Sequence, residues 1–311
     1  MPRRPLQRIQ AITVARRYFI ERQTKREIGK DLGISRFKVA RLIDEAIEEG
    51  LVRFEIDDAG ELDAPLSDRL REKYSLRNAL VLAGPDLPSS ALFEPLGRTA
   101  ASLLEEVLVE DCFLGVALGR TLGATAKAVS RLPKINVVQV VGGLAALEFP
   151  QNSVDLVHRM ASAGNGTAYP LFLPMWVEDP ALAGRLKTEP AVAQVLELFD
   201  RIDVLIVGIG SWNPPASGLY DAFSETWRQQ VLGAGVRADV CATLIGDKGQ
   251  IVPSPLDRLG LAISAKQIRR IPEIIGIAGG MEKAQAILAA LRGNWLTTLV
   301  TDAGVARRLL E

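Results

Sequence analysis

The sequence predicts an α/β chain in two parts: an N-terminal winged helix-turn-helix, then a larger body built on a mostly parallel sheet. Three observations lead there. Over 311 residues, 37 Lys and Arg balance 37 Asp and Glu, yet residues 1–56 hold 13 of those cations and only 8 of the anions. Inside that basic head, two capped helical patterns flank a glycine turn. Beyond residue 78, near-continuous apolar runs alternate with stretches of helical periodicity, as in a sheet covered on both faces. A chain of this length suits about two domains and can build a core without metal or disulfide staples.

In the head, Ile12, Ala15, Tyr18 and Phe19 recur at helical spacing and mark a first helix from about Ile9 to Glu21. Thr24-Lys25-Arg26-Glu27 fits a capping box, so a second helix begins there. It runs through Ile28 and Leu32 to Gly33, a residue free to take the positive φ of a sharp turn. Ser35 then caps a third helix with Val39, Leu42, Ile43 and Ala46 facing inward, ending near Gly50. Small Gly29 falls where crossing helices need close approach. An ordinary helical hairpin needs the same core, but has no reason to set Arg36, Lys38 and Arg41 on the outer face.

Such a helix can lie in the major groove, where Arg takes guanine O6 and N7 as a bidentate pair. The candidate DNA-binding residues are therefore Arg36, Phe37, Lys38 and Arg41 with Ser35 at the cap. Lys25 and Arg26, along with Lys30, Arg16 and Arg17, are expected to meet phosphates, which fixes register without reading sequence. Leu51–Ile56 alternates apolar and charged residues as a wing strand does, and the head closes at residue 57.

Residues 58–77 read as linker and connector helix, the latter from about Leu62 to Tyr74, and the body spans 58–311. Strands are expected at Ala79–Ala83, Phe113–Leu118, Val137–Val141, Ala168–Leu173, Val204–Ile209, Val240–Ile245, Ile274–Ala278 and Thr298–Thr301. Helices are expected between most of them, notably at Pro95–Leu108, Thr121–Leu132, Ser153–Ala163, Val192–Phe199, Ser264–Arg270 and Met281–Leu291.

Ligands of such sheets bind beyond the carboxyl ends of the strands. Four loops there are rich in glycine, and they supply the candidate effector contacts: Gly119, Arg120 and Thr121; Gln139, Gly142 and Gly143; Gly210 and Ser211; Gly279, Gly280 and Lys283. At Arg120 and at Lys283 a helix start and a cation are set to meet an anion. Each loop alone also reads as a turn that lets helix and sheet pack closely. None fits Gly-x-x-x-x-Gly-Lys-Ser/Thr or Gly-x-Gly-x-x-Gly, which removes ATP and dinucleotides, while four such loops at corresponding strand ends favour a pocket for a small polyol or a phosphorylated sugar. No cofactor is expected.

Cys112 and Cys241 sit in apolar runs that read as buried strands. With His158 the single histidine, neither a zinc site nor a Ser-His-Asp triad is expected. No apolar run reaches the roughly eighteen residues of a membrane span, and the N-terminus lacks a signal-peptide core, so a cytoplasmic, membrane-free protein is expected.

The chain resembles the SorC family of bacterial sugar-responsive transcription regulators, often grouped with the DeoR name. The likeness rests on Ser35-Arg36, Val39–Leu42 and Glu49–Val52 in the head and on Gly119-Arg120-Thr121 and Val207–Ser211 in the body. It continues through Ala278-Gly279-Gly280, Lys283-Ala284, Ala286-Ile287 and Leu299–Asp302. The resemblance implies a winged helix-turn-helix joined to a Rossmann-like effector domain similar to sugar-phosphate isomerases and deaminases. It also implies a homo-oligomer, typically a tetramer built as a dimer of dimers, whose grip on operator DNA changes with a bound sugar, polyol or sugar phosphate. Gly119, Arg120, Thr121, Gly279, Gly280 and Lys283 would surround the effector, with a phosphate near Lys283. Many members carry an Asp beside aromatic residues shortly before an Asp-x-Gly-like turn. Here the segment reads Thr243–Gly249, and Asp247 is the carboxylate it offers.

The expected function is a DNA-binding repressor of a carbohydrate-use operon, not an enzyme, with noncovalent effector binding because the strand end Val140-Val141 offers no Lys. The alternative is a sugar-phosphate isomerase or deaminase with an appended head, for which Asp247 and Glu148 are the available acid-base groups.

Overall fold

A computed structural model describes residues 5–52, 61–144 and 153–311. The chain divides into two compact units, Met1–Asp57 and Asp58–Glu311. The first holds α1 (Pro5–Phe19), α2 (Lys25–Leu32) and α3 (Arg36–Glu48). Its local chemistry explains each boundary. Thr24 Oγ1 accepts from the Glu27 amide while the Glu27 carboxylate accepts from the Thr24 amide at 2.8 Å, closing the capping box. Gly33 takes φ +65° and donates to the Gly29 carbonyl, and Ser35 caps α3 through the Lys38 amide at 3.2 Å. Ala11, Val14 and Ala15 of α1 pack on Ile28, Val39, Leu42, Ile43 and Ala46. Gly29 is tight against the turn rather than a crossing helix, since a Cβ there would lie 2.7 Å from the Ile34 carbonyl. Leu51 and Val52 pack on this core. The rest of the expected wing, residues 53–56, lies outside the described residues.

The second unit opens with α4 (Ala64–Tyr74), β1 (Asn78–Leu82), α5 (Ser89–Val107), β2 (Phe113–Val116), α6 (Arg120–Ala128) and β3 (Asn136–Gln139). It continues with α7 (Ser153–Ser162), β4 (Thr167–Tyr169), α8 (Pro180–Thr188), α9 (Pro190–Glu197), β5 (Val204–Val207), β6 (Gly210–Trp212) and β7 (Pro215–Ala216). Then come α10 (Gly218–Ala222), α11 (Glu225–Gly233), β8 (Val236–Val240), β9 (Thr243–Gly246), α12 (Leu256–Leu259) and α13 (Ala265–Ile268). The unit ends with β10 (Glu273–Ile277), α14 (Ala284–Arg292), β11 (Thr298–Asp302) and α15 (Ala303–Leu310).

Seven strands form one sheet in the order β1-β11-β10-β5-β2-β3-β4, every neighbour parallel. The central strands β2, β5, β10 and β11 are buried along their whole length, which is why they read as unbroken apolar runs. A second sheet, β7-β6-β8-β9, is antiparallel and corrects one expectation. Val240–Ile245 is not one strand: β8 and β9 form a hairpin whose two turn residues, Cys241 and Ala242, take φ +49° and +63°. Cys241 therefore sits in a buried turn, not in a strand. The expected strand at Ala168–Leu173 ends at Tyr169, because Pro170 has no amide to continue the ladder.

Candidate functional site

A cavity of about 90 Å³ opens at the carboxyl ends of β2 and β5. These neighbouring strands are where the sheet order reverses, since β3 and β4 follow on one side and β10 and β11 on the other. Switch points of this kind are where open α/β sheets hold ligands. The wall is formed by Leu118–Leu122 between β2 and α6, Gly208–Gly210 after β5, Ser217–Leu219 at α10, and Asp239, Cys241 and Ala242 of the hairpin. Phe93, Met175 and Lys283 complete much of it.

One side is cationic. Helix α6 starts at Arg120 behind Gly119 with no side-chain cap, so its first amides and the positive end of its dipole are available at the cavity wall. The Arg120 guanidinium lies 4.9 Å from the centre of the Phe93 ring. Lys283 is half-buried and its Nζ donates to the Ile209 carbonyl at 2.8 Å. Burial, aided by the charge of Arg120, brings its pKa down to about 8, against the upward pull of Asp239 and Glu282. Glu282 itself faces Ser89, whose amide and hydroxyl both donate to Oε1. Burial works against its ionisation, but these bonds and the charge of Lys283 keep its pKa below the usual carboxylate range.

Another part of the wall carries a carboxylate. Trp212 Nε1 donates to Asp239 Oδ1 at 2.8 Å and Ser217 Oγ donates to the same oxygen at 2.5 Å. Burial raises the Asp239 pKa, while these two donors and Lys283 oppose the rise. Both donors converge on the one oxygen, Oδ1, of a carboxylate that lines the cavity. Gly210 makes room for the arrangement: a Cβ there would lie 2.2 Å from Asp239 Oδ1 and 2.5 Å from Ser217 Oγ. Trp212 also packs edge-on against Tyr220 and Phe223. The cavity is thus suited to a small molecule with an anionic group and hydroxyl donors.

In the head, α3 buries Val39, Leu42, Ile43 and Ala46 and leaves Arg36, Phe37, Lys38 and Arg41 exposed. Lys25, Arg26 and Lys30 are exposed on α2. Arg41 pairs with Glu45 at 3.4 Å, and Arg17 with Asp31 at 3.2 Å. The capping hydrogen bonds of Thr24 keep the Glu27 carboxyl below its ordinary pKa.

Residues 60–311 match the family model described as "Putative sugar-binding domain". The chain is 26% identical over 308 residues to the sorbitol operon regulator of Klebsiella pneumoniae, covering 96% of this chain and 97% of that protein. It is 25% identical over 304 residues to the deoxyribonucleoside regulator of Bacillus subtilis, covering 97% of each. It belongs to the SorC/DeoR-type family of sugar-responsive transcriptional regulators. The regulator's fold matches the crystal structure of full-length SorC from Klebsiella pneumoniae at a TM-score of 0.76 and 23% identity, over 98% of this chain and 99% of that one. Among the described residues, no helix is long and apolar enough to cross a membrane.

The regulator brings Gly119, Arg120, Thr121, Gly210 and Lys283 together at the cavity. The other effector candidates are not among the residues that line this cavity. Gln139 is buried, with Nε2 donating to the Val141 carbonyl at 2.8 Å and Oε1 accepting from the Leu171 amide at 3.0 Å. Gly142 and Gly143 bind the backbone of Leu261, Leu173 and Met175, and a Cβ on Gly142 would meet the Pro174 carbonyl at 2.2 Å. Ser211 is spent on the carbonyls of Pro214 and Glu282 at 2.7 and 3.1 Å. Gly279 and Gly280 close on Asp302, whose Oδ2 accepts from the Gly280 amide at 2.8 Å.

Asp247 lies exposed beyond β9 and pairs with Arg292 at 3.5 Å, away from the cavity. The carboxylate beside aromatic residues is Asp239, eight positions earlier, with Trp212. Its sequence signal was faint: one Asp on the partly buried side of the alternating strand Val236–Val240. Glu148 lies outside the described residues.

Proposed function

We propose that the chain is a cytoplasmic repressor of a carbohydrate-use operon, with residues 1–57 holding operator DNA and residues 58–311 binding effector and partner subunits. Residues 58–77 form the connector. The effector is a sugar, polyol or sugar phosphate, with its anionic group toward Arg120, Lys283 and the α6 N-terminus and its hydroxyls toward Asp239. The observation that carries this reading is the meeting of those two kinds of group in one cavity at the switch point. The names of the sorbitol operon and deoxyribonucleoside regulators support the same class of control.

Ser35, Arg36, Phe37, Lys38 and Arg41 face the groove, and Lys25 and Arg26 face phosphates. Two-fold operators call for paired heads, which a tetramer built as a dimer of dimers supplies. A thermal-shift screen of sugars, polyols and their phosphates tests the cavity, because a ligand at 100 times its Kd adds about 2.7 kcal/mol of stability. A hit must then change affinity for the chain's own promoter region. Arg36→Ala is expected to relax sequence preference, and Lys25→Ala to weaken all duplexes alike. If no compound of these classes stabilises the protein, the effector assignment is wrong.

A second reading, a sugar-phosphate isomerase or deaminase, is favoured by the titratable pair Asp239 and Lys283 in the cavity. Sustained turnover of a phosphorylated pentose or hexose decides for it. The expected result is binding without turnover.

A further inference from the structure

Phe37 is 72% exposed, far more than any other large apolar side chain of α3, where Ile47 follows at 39%. It occupies the second position of the helix, one turn before Arg41 and opposite the buried stripe of Val39, Leu42, Ile43 and Ala46. An aromatic ring gains nothing in water at that place. Its neighbours are cations: the Arg36 guanidinium lies 4.9 Å from the ring centre, and Lys38 and Arg41 are exposed beside it. The surrounding charge matches a polyanion, and the ring is the most exposed large apolar side chain of α3, set at the helix's basic N-terminal end.

Resting on the reading of the head as a DNA-binding module, we propose that Phe37 reads the C5-methyl group of a thymine that neighbours a guanine read by Arg36. The thymine methyl is the apolar group a base pair offers in the major groove, and guanine O6 and N7 take an Arg fork. The contact of guanidinium and ring holds the Arg36 fork beside Phe37 before DNA arrives, so the two contacts fall on adjacent base pairs. Phe37 thereby sets specificity rather than supplying general affinity. Phosphate neutralisation by the cations supplies that affinity in a salt-dependent way.

The test uses the full chain and duplexes it selects from a randomised pool. In the selected site each thymine is replaced singly by deoxyuridine, which removes only the methyl group. One position per half-site, next to a guanine, should lose about fourfold in affinity, the worth of one buried methyl. Phe37→Ala should bind the thymine and uracil duplexes equally, whereas Arg36→Ala should still tell them apart. Phe37→Leu, which keeps an apolar tip, should retain part of the discrimination. Since Phe37 is outside the core, all three variants should melt like the parent, and that is checked first. Selective, salt-dependent binding with no thymine-to-uracil effect, or with an effect that survives Phe37→Ala, overturns this proposal and leaves the DNA reading standing. If Phe37→Ala instead lowers the mass measured by light scattering, the ring belongs to a contact between copies. Failure to enrich any duplex overturns the DNA reading itself.

Discussion

Raising the pH from 7 to 9 should weaken the binding of a phosphorylated effector about tenfold. The effect originates at Lys283, whose pKa is about 8 because burial and Arg120 disfavour its charge. An anion placed beside it restores the ammonium, so binding above that pKa requires uptake of a proton. The charged fraction falls from about nine-tenths at pH 7 to about one-tenth at pH 9, a loss of about 1 kcal/mol in binding. The phosphate's own second ionisation, at about pH 6, is about nine-tenths done by pH 7 and adds only about a tenth to the affinity above it, far less than the tenfold loss from Lys283. Folding stability measured without effector moves the other way. A lysine whose folded pKa lies below its unfolded value of 10.5 leaves the folded state with fewer protons between about 8 and 10.5, so stability rises with pH through that window. Calorimetric titrations at pH 7, 8 and 9, in two buffers of different ionisation heat, measure both Kd and the proton uptake, which should be about one half at pH 8. The Lys283→Met protein should show weak binding with no slope. A flat profile in the parent, or an equal slope in the variant, removes Lys283 from the anion site.

Asp239→Asn keeps an acceptor for Trp212 and Ser217 but removes the charge that pulls the Lys283 pKa upward, so the midpoint of the same pH titration should fall below 8. An unmoved midpoint means the two groups do not interact. Gly210→Ala puts a methyl 2.2 Å from Asp239 Oδ1, and should both abolish the effector-induced thermal shift and lower the melting temperature by an amount worth about 1–3 kcal/mol. Gly29→Ala drives a methyl to 2.7 Å from the Ile34 backbone carbonyl. DNA binding should be lost in a gel-shift assay while the effector-induced thermal shift stays as in the parent. Loss of both would place Gly29 in a wider role than the turn.

How far the sequence could be read depended on the range of the forces involved. The head was legible because each of its signals is local: Thr24 and Glu27 close their box within one turn, Gly33 turns the chain, and Ser35 starts α3. The buried parallel strands were legible as apolar runs because both faces of β2, β5 and β10 are covered. The hairpin of β8 and β9 was not. Its turn residues Cys241 and Ala242 hold left-handed backbone without the Asn-Gly or Asp-Gly signature that normally marks such a turn. The glycine loops divided for a physical reason as well. Gly210 clears space for Asp239 and Ser217 at the cavity, whereas Gly142 and Gly279 clear space for backbone and side chains elsewhere in the fold, and the two uses look alike in sequence. Asp239 acquired its meaning only when folding set it against Trp212 and Ser217.

The depressed Lys283 pKa also bears on which sugars the cavity prefers. A displacement from 10.5 to about 8 corresponds to about 3 kcal/mol of cost for holding the ammonium at pH 7. A neutral sugar fills the space without relieving that cost, and deepens it by displacing water from the cation. A phosphate can recover a large part of it, so a sugar phosphate should bind on the order of 100-fold tighter than its parent sugar. That margin is comparable with the whole of an ordinary allosteric coupling, about 1–3 kcal/mol. The preference for phosphate does not by itself move the operator, because a ligand shifts only the equilibrium between states it binds unequally. Paired titrations of a sugar and its phosphate, with and without promoter DNA, separate the two quantities. If parent sugar and phosphate bind equally at pH 7, the charge on Lys283 serves the fold and not the ligand.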